Sequence, residues 1–364
     1  MEIDFANLQY QYQLYKSDID ARIQSVLDKS NYIMGEEITD LEQQLSAFTG
    51  VKHVISCSNG TDALLIAMMA LDVQPGDEII TTPFTFIATA ETIALMKATP
   101  VFVDIEESSY NLDSSKIEAA ITKKTKAIMP VGLYGQPADM DEINAIAKKH
   151  SLNVIIDGAQ CLGSTYKNIC AASYCDIYTT SFFPAKPLGC YGDGGAVFTD
   201  NDKYAEKMKM MRVHGQSKRY YHKYIGMGGR LDTMQAAVLL AKLPHYASEI
   251  NSRNRVSQAY SEQLKGRVRT PVVKNDRTSV WAQYTIRVEN RNELQAKLKE
   301  VGVPTAVHYP IPLHLQECFQ HLGLEHGILP ISEQVAQEVL SLPMNPFLTD
   351  SEIKYVVDAL KDIA

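Results

Sequence analysis

Between residues 53 and 200 the chain alternates short apolar runs with amphipathic stretches. The runs His53–Cys57, Glu78–Thr82, Pro100–Asp104, Ala127–Gly132, Asn153–Asp157, Asp176–Phe182 and Gly195–Thr199 are of strand length and rich in β-branched residues. Between them Thr61–Leu71, Ile87–Lys97, Ser114–Ala120 and Met140–His150 carry apolar residues at helical spacing. Strands that alternate with helices predict an α/β fold, with a mainly parallel sheet covered on both faces. Ligands of such sheets bind beyond the carboxyl ends of the strands. Two helices are expected ahead of the sheet, at 12–30 and 39–49. Thr39-Asp40-Leu41-Glu42 reads as a capping box that opens the second. Beyond Arg230 the pattern is helical to about residue 266. Gln283–Val288, a helix near Asn292–Val301, an extended segment at Thr305–Tyr309 and a terminal helix at 350–362 then predict a smaller α+β domain. The division is expected near residue 250, giving a large domain 1–250 that includes the N-terminal helices and a small one 251–364.

Composition narrows the function classes. The chain is 45% hydrophobic and 21% charged, with net charge −8, and both signs are interspersed. No basic cluster points to nucleic acid or an anionic membrane. No apolar run is long enough to cross a bilayer, and the N-terminus does not read as a signal peptide. The scattered cysteines form no Cys-x-x-Cys pair and suggest free thiols in a cytoplasmic protein. His-Glu-x-x-His and Gly-x-Ser-x-Gly are both missing, so no metal is expected and neither zinc nor serine hydrolase chemistry has a starting point.

Three segments carry candidate chemistry. In Ser56-Cys57-Ser58-Asn59-Gly60-Thr61-Asp62 a strand ends, a Gly-containing turn follows and a helix begins. Free N–H groups and the helix dipole suit that turn to a phosphate, although ordinary capped turns look alike. Asp157 ends an apolar strand at the expected crevice rim. A carboxylate there can keep a pyridine nitrogen protonated, or it can simply cap a turn. Gln160 follows three residues on. Lys186 lies between Pro184 and Pro187, just past a predicted strand and before Gly192-Asp193-Gly194-Gly195. A lysine in so rigid and uncharged a setting is a candidate nucleophile, and a solvated loop lysine is the alternative.

The order phosphate loop, strand-end Asp, then Lys about thirty residues later matches fold-type I enzymes of pyridoxal 5'-phosphate (PLP). Asn59-Gly60-Thr61-Asp62-Ala63-Leu64, Pro83-Phe84-Thr85-Phe86, Asp157-Gly158-Ala159-Gln160, Ser181-Phe182-Phe183-Pro184-Ala185-Lys186 and Gly192–Gly195 resemble the DegT/DnrJ/EryC1/StrS nucleotide-sugar aminotransferases nearly end to end. The resemblance implies an aspartate-aminotransferase-like fold, with a mixed, mainly parallel seven-stranded sheet and a small C-terminal domain. It implies that Lys186 holds PLP as a Schiff base, Asp157 partners the pyridine nitrogen, and Gln160 partners the phenolic oxygen. Phe86 would stack on the ring, while Gly60, Thr61 and Ser181 bind the phosphate. It also implies a cytoplasmic homodimer with its sites at the interface.

Tyr134-Gly135-Gln136, Arg230-Leu231-Asp232-Thr233 and Pro304–Pro310 resemble the branch of that family acting on UDP-2-acetamido-2-deoxy-3-oxo-glucuronate. That branch implies L-glutamate as amino donor, a UDP-linked 3-keto sugar as acceptor, and a place in lipopolysaccharide O-antigen or other surface polysaccharide synthesis. Ser30, Tyr32, Arg230, His308 and Tyr309 would contact the sugar. Arg230 suits a carboxylate, with an intrahelical ion pair to Asp232 as the alternative. Three positions depart from the family pattern: Gly228 replaces an Asn directed at the neighbouring subunit's phosphate, Gly158 replaces an Ala without expected consequence, and Ser30 replaces a Gly. Other readings are a dTDP- or UDP-linked substrate aminated at C3 or C4, and a non-catalytic PLP- or sugar-binding regulator. Family dehydratases carry His in place of the lysine. A nicotinamide enzyme needs Gly-x-Gly-x-x-Gly, which Ser58–Ala63 does not supply.

Overall fold

A computed structural model describes residues 3–363. Seven strands form one sheet: β1 (His53–Cys57), β2 (Glu78–Thr81), β3 (Thr99–Phe102), β4 (Thr125–Met129), β5 (Asn153–Asp157), β6 (Ile177–Ser181) and β7 (Gly195–Thr199). Their spatial order is β1-β7-β6-β5-β4-β2-β3. The pairs from β6 to β3 are parallel, and β7 runs antiparallel to both β1 and β6. The carboxyl ends of β1, β2, β4, β5 and β6 therefore lie along one edge.

Alternation along the strands feeds two apolar layers. Val154 and Ile156 of β5 pack on one face with Leu41 and Leu45 of α2 (Glu36–Thr49), Ile143 of α6 (Met140–His150) and Leu239 of α8 (Thr233–Leu264). Ile155 packs on the other with Ile66 of α3 (Gly60–Ala70) and Met208 of α7 (Asp202–Met211). Helices α1 (Leu8–Lys29), α4 (Ala88–Leu95) and the short α5 (Ser114–Ile117) complete the region.

The start of α2 differs from the expectation. The helix begins at Glu36, and Thr39 lies exposed inside its first turns. Gly35 precedes the helix, and its N–H is bound by Thr233 Oγ1 at 3.1 Å. A contact from 198 residues away sets the boundary, overriding the local capping signal.

The position expected to divide the chain falls inside α8, which is continuous. Its distal residues Val256, Tyr260 and Leu264 join a third apolar cluster with the antiparallel strands β8 (Tyr284–Arg287) and β9 (Val339–Leu342), α9 (Arg291–Glu300) and α11 (Asp350–Ile363). α10 (Pro330–Glu338) carries Pro at its start, and the backbone N–H groups of Ile331 and Ser332 are bound by Asp104, at 3.0 and 2.9 Å. Thr305–Tyr309 forms no strand. It contributes one bridge, Ala306 to Ser341. Among the described residues no helix is long and apolar enough to cross a membrane.

Candidate active site

The strand-end segments converge where the parallel strands stop. Asp157 ends β5, buried, and its two oxygens are both engaged. Thr89 Oγ1 donates to Oδ2 at 2.7 Å, and the Ala159 N–H donates to Oδ1 at 3.2 Å. Burial pushes the carboxyl up from its ordinary range, while Thr89, the Ala159 N–H and the Lys186 charge oppose the shift. Lys186 follows β6 by five residues and is half-buried. Burial pushes its amine down, and Asp157 opposes that. Each group of this pair is shifted toward neutrality by desolvation, with the other as its charge partner.

Gln160 has a fixed orientation. Its Oε1 accepts from the Tyr134 N–H at 2.7 Å, and its Nε2 donates to the Tyr309 hydroxyl at 3.1 Å. The amide therefore keeps one further N–H free. The Phe86 ring is 54% exposed and lies 6.3 Å from the Tyr309 ring. Burial drives the Tyr309 phenol well up, and it drives the His308 imidazole down to about 4, with the Lys186 charge adding to that shift.

At the end of β1, Asn59 caps α3 by accepting from the Asp62 N–H at 2.7 Å. Gly60 and Thr61 are the first helical residues, and Gly60 lies beside Ser181. A Cβ on Gly60 would stand 2.8 Å from Ser181 Cβ. Glycine therefore leaves space at a helix N-terminus between backbone N–H groups and a serine hydroxyl, a cradle fitted to phosphate. Cradle, buried carboxylate, desolvated amine and exposed aromatic face together fit PLP.

Ser30 and Tyr32 form a second group. Ser30 ends α1 with φ 51°, and its Oγ lies 3.5 Å from the Tyr32 hydroxyl. The Tyr32 carbonyl accepts from the Thr233 N–H at 3.0 Å, beside Arg230 in sequence. Arg230 lies outside α8, so an intrahelical pair with Asp232 is not formed, and among the described residues no ion pair engages it. The Gly229 carbonyl accepts from the Ser58 N–H at 3.1 Å, tying this group to the end of β1. No described side-chain contact joins Ser30, Tyr32 or Arg230 to Lys186 within the chain. At Gly228 a Cβ would stand 3.2 Å from His214 Nε2, so the imidazole borders the space an Asn would fill.

Gly158 is tightly packed. A Cβ there would lie 2.0 Å from Tyr178 Cζ, and the Tyr178 hydroxyl bonds the Gly158 carbonyl at 3.2 Å. Tyr178 is fully buried. Gly158→Ala is expected to cost about 1–3 kcal/mol through overpacking, read as a lowered melting temperature. In the Tyr178→Leu background the same change should cost less, and strict additivity of the two effects would argue against the clash. Thr89 and Tyr134 also lie outside the expected set. No sequence signal linked Thr89 to Asp157, because the contact spans 68 residues.

Several known proteins are similar to this chain along nearly its whole length. A "UDP-2-acetamido-2-deoxy-3-oxo-D-glucuronate aminotransferase" of Pseudomonas aeruginosa is 51% identical over 359 residues, covering 98% of this chain and 99% of that protein. A crystal structure of a DegT DnrJ EryC1 StrS aminotransferase from Brucella abortus is 39% identical with TM-score 0.96, covering 99% of both chains. The Bacillus subtilis protein NtdA, solved with bound cofactor PMP, is 32% identical with TM-score 0.93, covering 100% of this chain and 85% of that one. Fold and site together define a PLP-dependent aminotransferase of fold type I. The chain belongs to the DegT/DnrJ/EryC1/StrS aminotransferase family, which matches residues 13–361, and the activity that follows is amino transfer to nucleotide-sugar ketones.

Proposed function

We propose that the chain transfers the amino group of L-glutamate to C3 of UDP-2-acetamido-2-deoxy-3-oxo-glucuronate, for surface polysaccharide synthesis in the cytoplasm. One observation carries the reading: a desolvated amine, Lys186, lies within the field of a buried strand-end carboxylate, Asp157, on the sheet edge that also holds the Gly60–Ser181 cradle. The choice of sugar is supported by the likeness to the Pseudomonas aeruginosa protein and by a guanidinium at Arg230 that has no acidic partner among the described residues.

When bound, PLP supplies an electron-accepting ring that stabilises negative charge on the carbon losing its proton. The residues divide the remaining work. Gly60, Thr61 and Ser181 bind the phosphate. Asp157, held by Thr89, places a negative charge where a pyridine nitrogen is kept protonated. Gln160 offers its free N–H to the phenolic oxygen, and Phe86 covers the ring face. Lys186 would hold the cofactor through its amine, and once freed that amine would take up the proton of the glutamate Cα and, in the second half-reaction, would supply one at sugar C3. Arg230 binds the sugar carboxylate by its two-pronged face, and Ser30, Tyr32, His308 and Tyr309 hold the remaining sugar. Among the described residues no side-chain contact joins Ser30, Tyr32 or Arg230 to Lys186 within one chain. We assign them to the neighbouring site of a homodimer. The same reading takes 1–250 as the cofactor-binding unit and 251–364 as the small one, supported by the separate apolar cluster around β8 and β9.

Glutamate added to the PLP-loaded yellow protein should bleach it to the aminated form. UDP-2-acetamido-2-deoxy-3-oxo-glucuronate should restore the colour faster than dTDP- or 4-keto sugars. Bleaching with recovery only by another sugar would overturn the substrate, and no bleaching would point to a non-catalytic binder. Arg230→Ala should raise KM for the carboxylated sugar about 10- to 100-fold, the worth of about 1.5–3 kcal/mol for a charged hydrogen-bond pair. An unchanged KM would remove Arg230 from the sugar site.

A further inference from the structure

Behind Asp157 two buried threonines form a row of hydroxyls. Thr89, in the first turn of α4, donates from Oγ1 to Asp157 Oδ2 at 2.7 Å. The same Oγ1 lies 3.0 Å from Thr85 Oγ1. Thr85 belongs to the segment between β2 and α4, next to Phe86 in sequence. Both threonines are buried. The other carboxylate oxygen, Oδ1, accepts from the Ala159 N–H at 3.2 Å.

Counting protons gives the row a direction. A hydroxyl has one proton to donate. Thr89 spends its own on the carboxylate, so at the 3.0 Å contact it can only accept, and Thr85 is the donor there. Two protons then fill two contacts. A proton placed on Oδ2 and given to Thr89 would reverse both. The Thr85 hydrogen would then be buried with no acceptor among the described residues, an unfavourable state. The row therefore favours a bare Oδ2. A hydroxyl whose oxygen accepts a hydrogen bond is also a stronger donor. Thr85 thus strengthens the bond from Thr89 to the carboxylate. Burial drives that carboxyl toward its neutral form, and the two hydroxyls work against it.

We infer that Thr85 is a positioning residue that acts through Thr89 to keep Asp157 ionised, so that the proton shared with the ring nitrogen of bound PLP stays on the nitrogen. This rests on the assignment of Asp157 to that nitrogen and adds a residue two hydroxyls away from it. Thr85→Val keeps the shape of the side chain and removes the donor. The carboxylate then holds a proton more strongly, and the ring loses part of its electron-accepting power. With Thr89 replaced by Val, no hydroxyl remains to carry the effect, and Thr85 should cease to matter.

The test uses protein loaded with PLP carrying ¹⁵N in its ring. The ring-nitrogen resonance separates the protonated from the unprotonated form directly. Wild type should show the protonated value, and Thr85→Ser, which keeps the hydroxyl, should retain it. Thr85→Val should move the resonance toward the unprotonated value, and Thr85→Ala should do the same whether or not the valine variant folds. The glutamate half-reaction of Thr85→Val should slow about 2- to 10-fold, the worth of one hydrogen bond. In the Thr89→Val background, adding Thr85→Val should leave resonance and rate where Thr89→Val alone puts them. A wild-type resonance in the Thr85 variants, or a further loss of full size in the double variant, overturns the inference. Asp157→Asn separates the two levels. A native resonance there overturns the assignment of Asp157 itself, whereas a shifted one beside unmoved Thr85 variants overturns only the role of Thr85.

Discussion

Lys186→Ala is expected to lower the rate of the glutamate half-reaction by roughly 10⁴-fold, at the upper end for loss of a positioned acid–base group. The variant loses two functions at once. It has no amine to hold the cofactor covalently, and none to carry the proton between Cα and C4'. Retention of PLP should be weakened less than turnover, because the phosphate cradle at Gly60 and Ser181 does not depend on the lysine. The measurement is single-turnover absorbance after mixing with glutamate. Added methylamine should recover part of the rate, since it supplies a proton carrier. A variant that turned over at the normal rate would exclude Lys186. The pH dependence has a defined sign. Burial lowers the amine's pKa below the ordinary 10.5, so the neutral, nucleophilic form is present at lower pH than in a solvated lysine. PLP capture by the apo form should rise with pH through a midpoint below that value, and a midpoint at or above it would contradict the desolvated setting.

Asp157→Asn is expected to slow the same half-reaction by roughly 10²–10³-fold, the range for removing one preorganised electrostatic partner. The substitution keeps the shape of the side chain and removes its charge. The Ala159 N–H can still donate to the amide oxygen, and the Thr89 hydroxyl, 2.7 Å from the other native oxygen, can turn to accept from the amide N–H, so the fold should tolerate the change. On the proposed reading, what is lost is the negative charge that keeps a ring nitrogen protonated. The absorbance of the bound cofactor should shift with the rate. Thr89→Val should produce a smaller change in the same direction, because the carboxylate keeps its charge but loses one donor. An Asp157→Asn enzyme with native spectrum and rate would place the carboxylate outside the chemistry.

The apolar alternation from 53 to 200 was enough to read the seven strands and their approximate bounds, because each is short, buried and bracketed by turn residues. Met140–His150 begins and ends where its spacing indicates. Elements set by distant contacts were not legible. α2 starts three residues before its capping box because Thr233 binds the Gly35 N–H. α10 has no side-chain cap of its own, because Asp104, more than 200 residues away, binds its first N–H groups. Motif order placed Gly60, Asp157, Gln160, Ser181 and Lys186 on one edge. It gave no access to the partners that orient them, namely Thr89 for Asp157, and Tyr134 for Gln160 and His308. Gly158 shows the same limit. Its packing against Tyr178 depends on a neighbouring strand, and a one-residue reading at that position carried no warning of it.

The most direct test of the covalent assignment is borohydride reduction of the PLP-loaded protein, followed by digestion and peptide mass measurement. The phosphopyridoxyl group should appear on the peptide containing Lys186 and on no other lysine in stoichiometric amount. Its appearance on another lysine, or PLP released unreduced in full, would contradict the account.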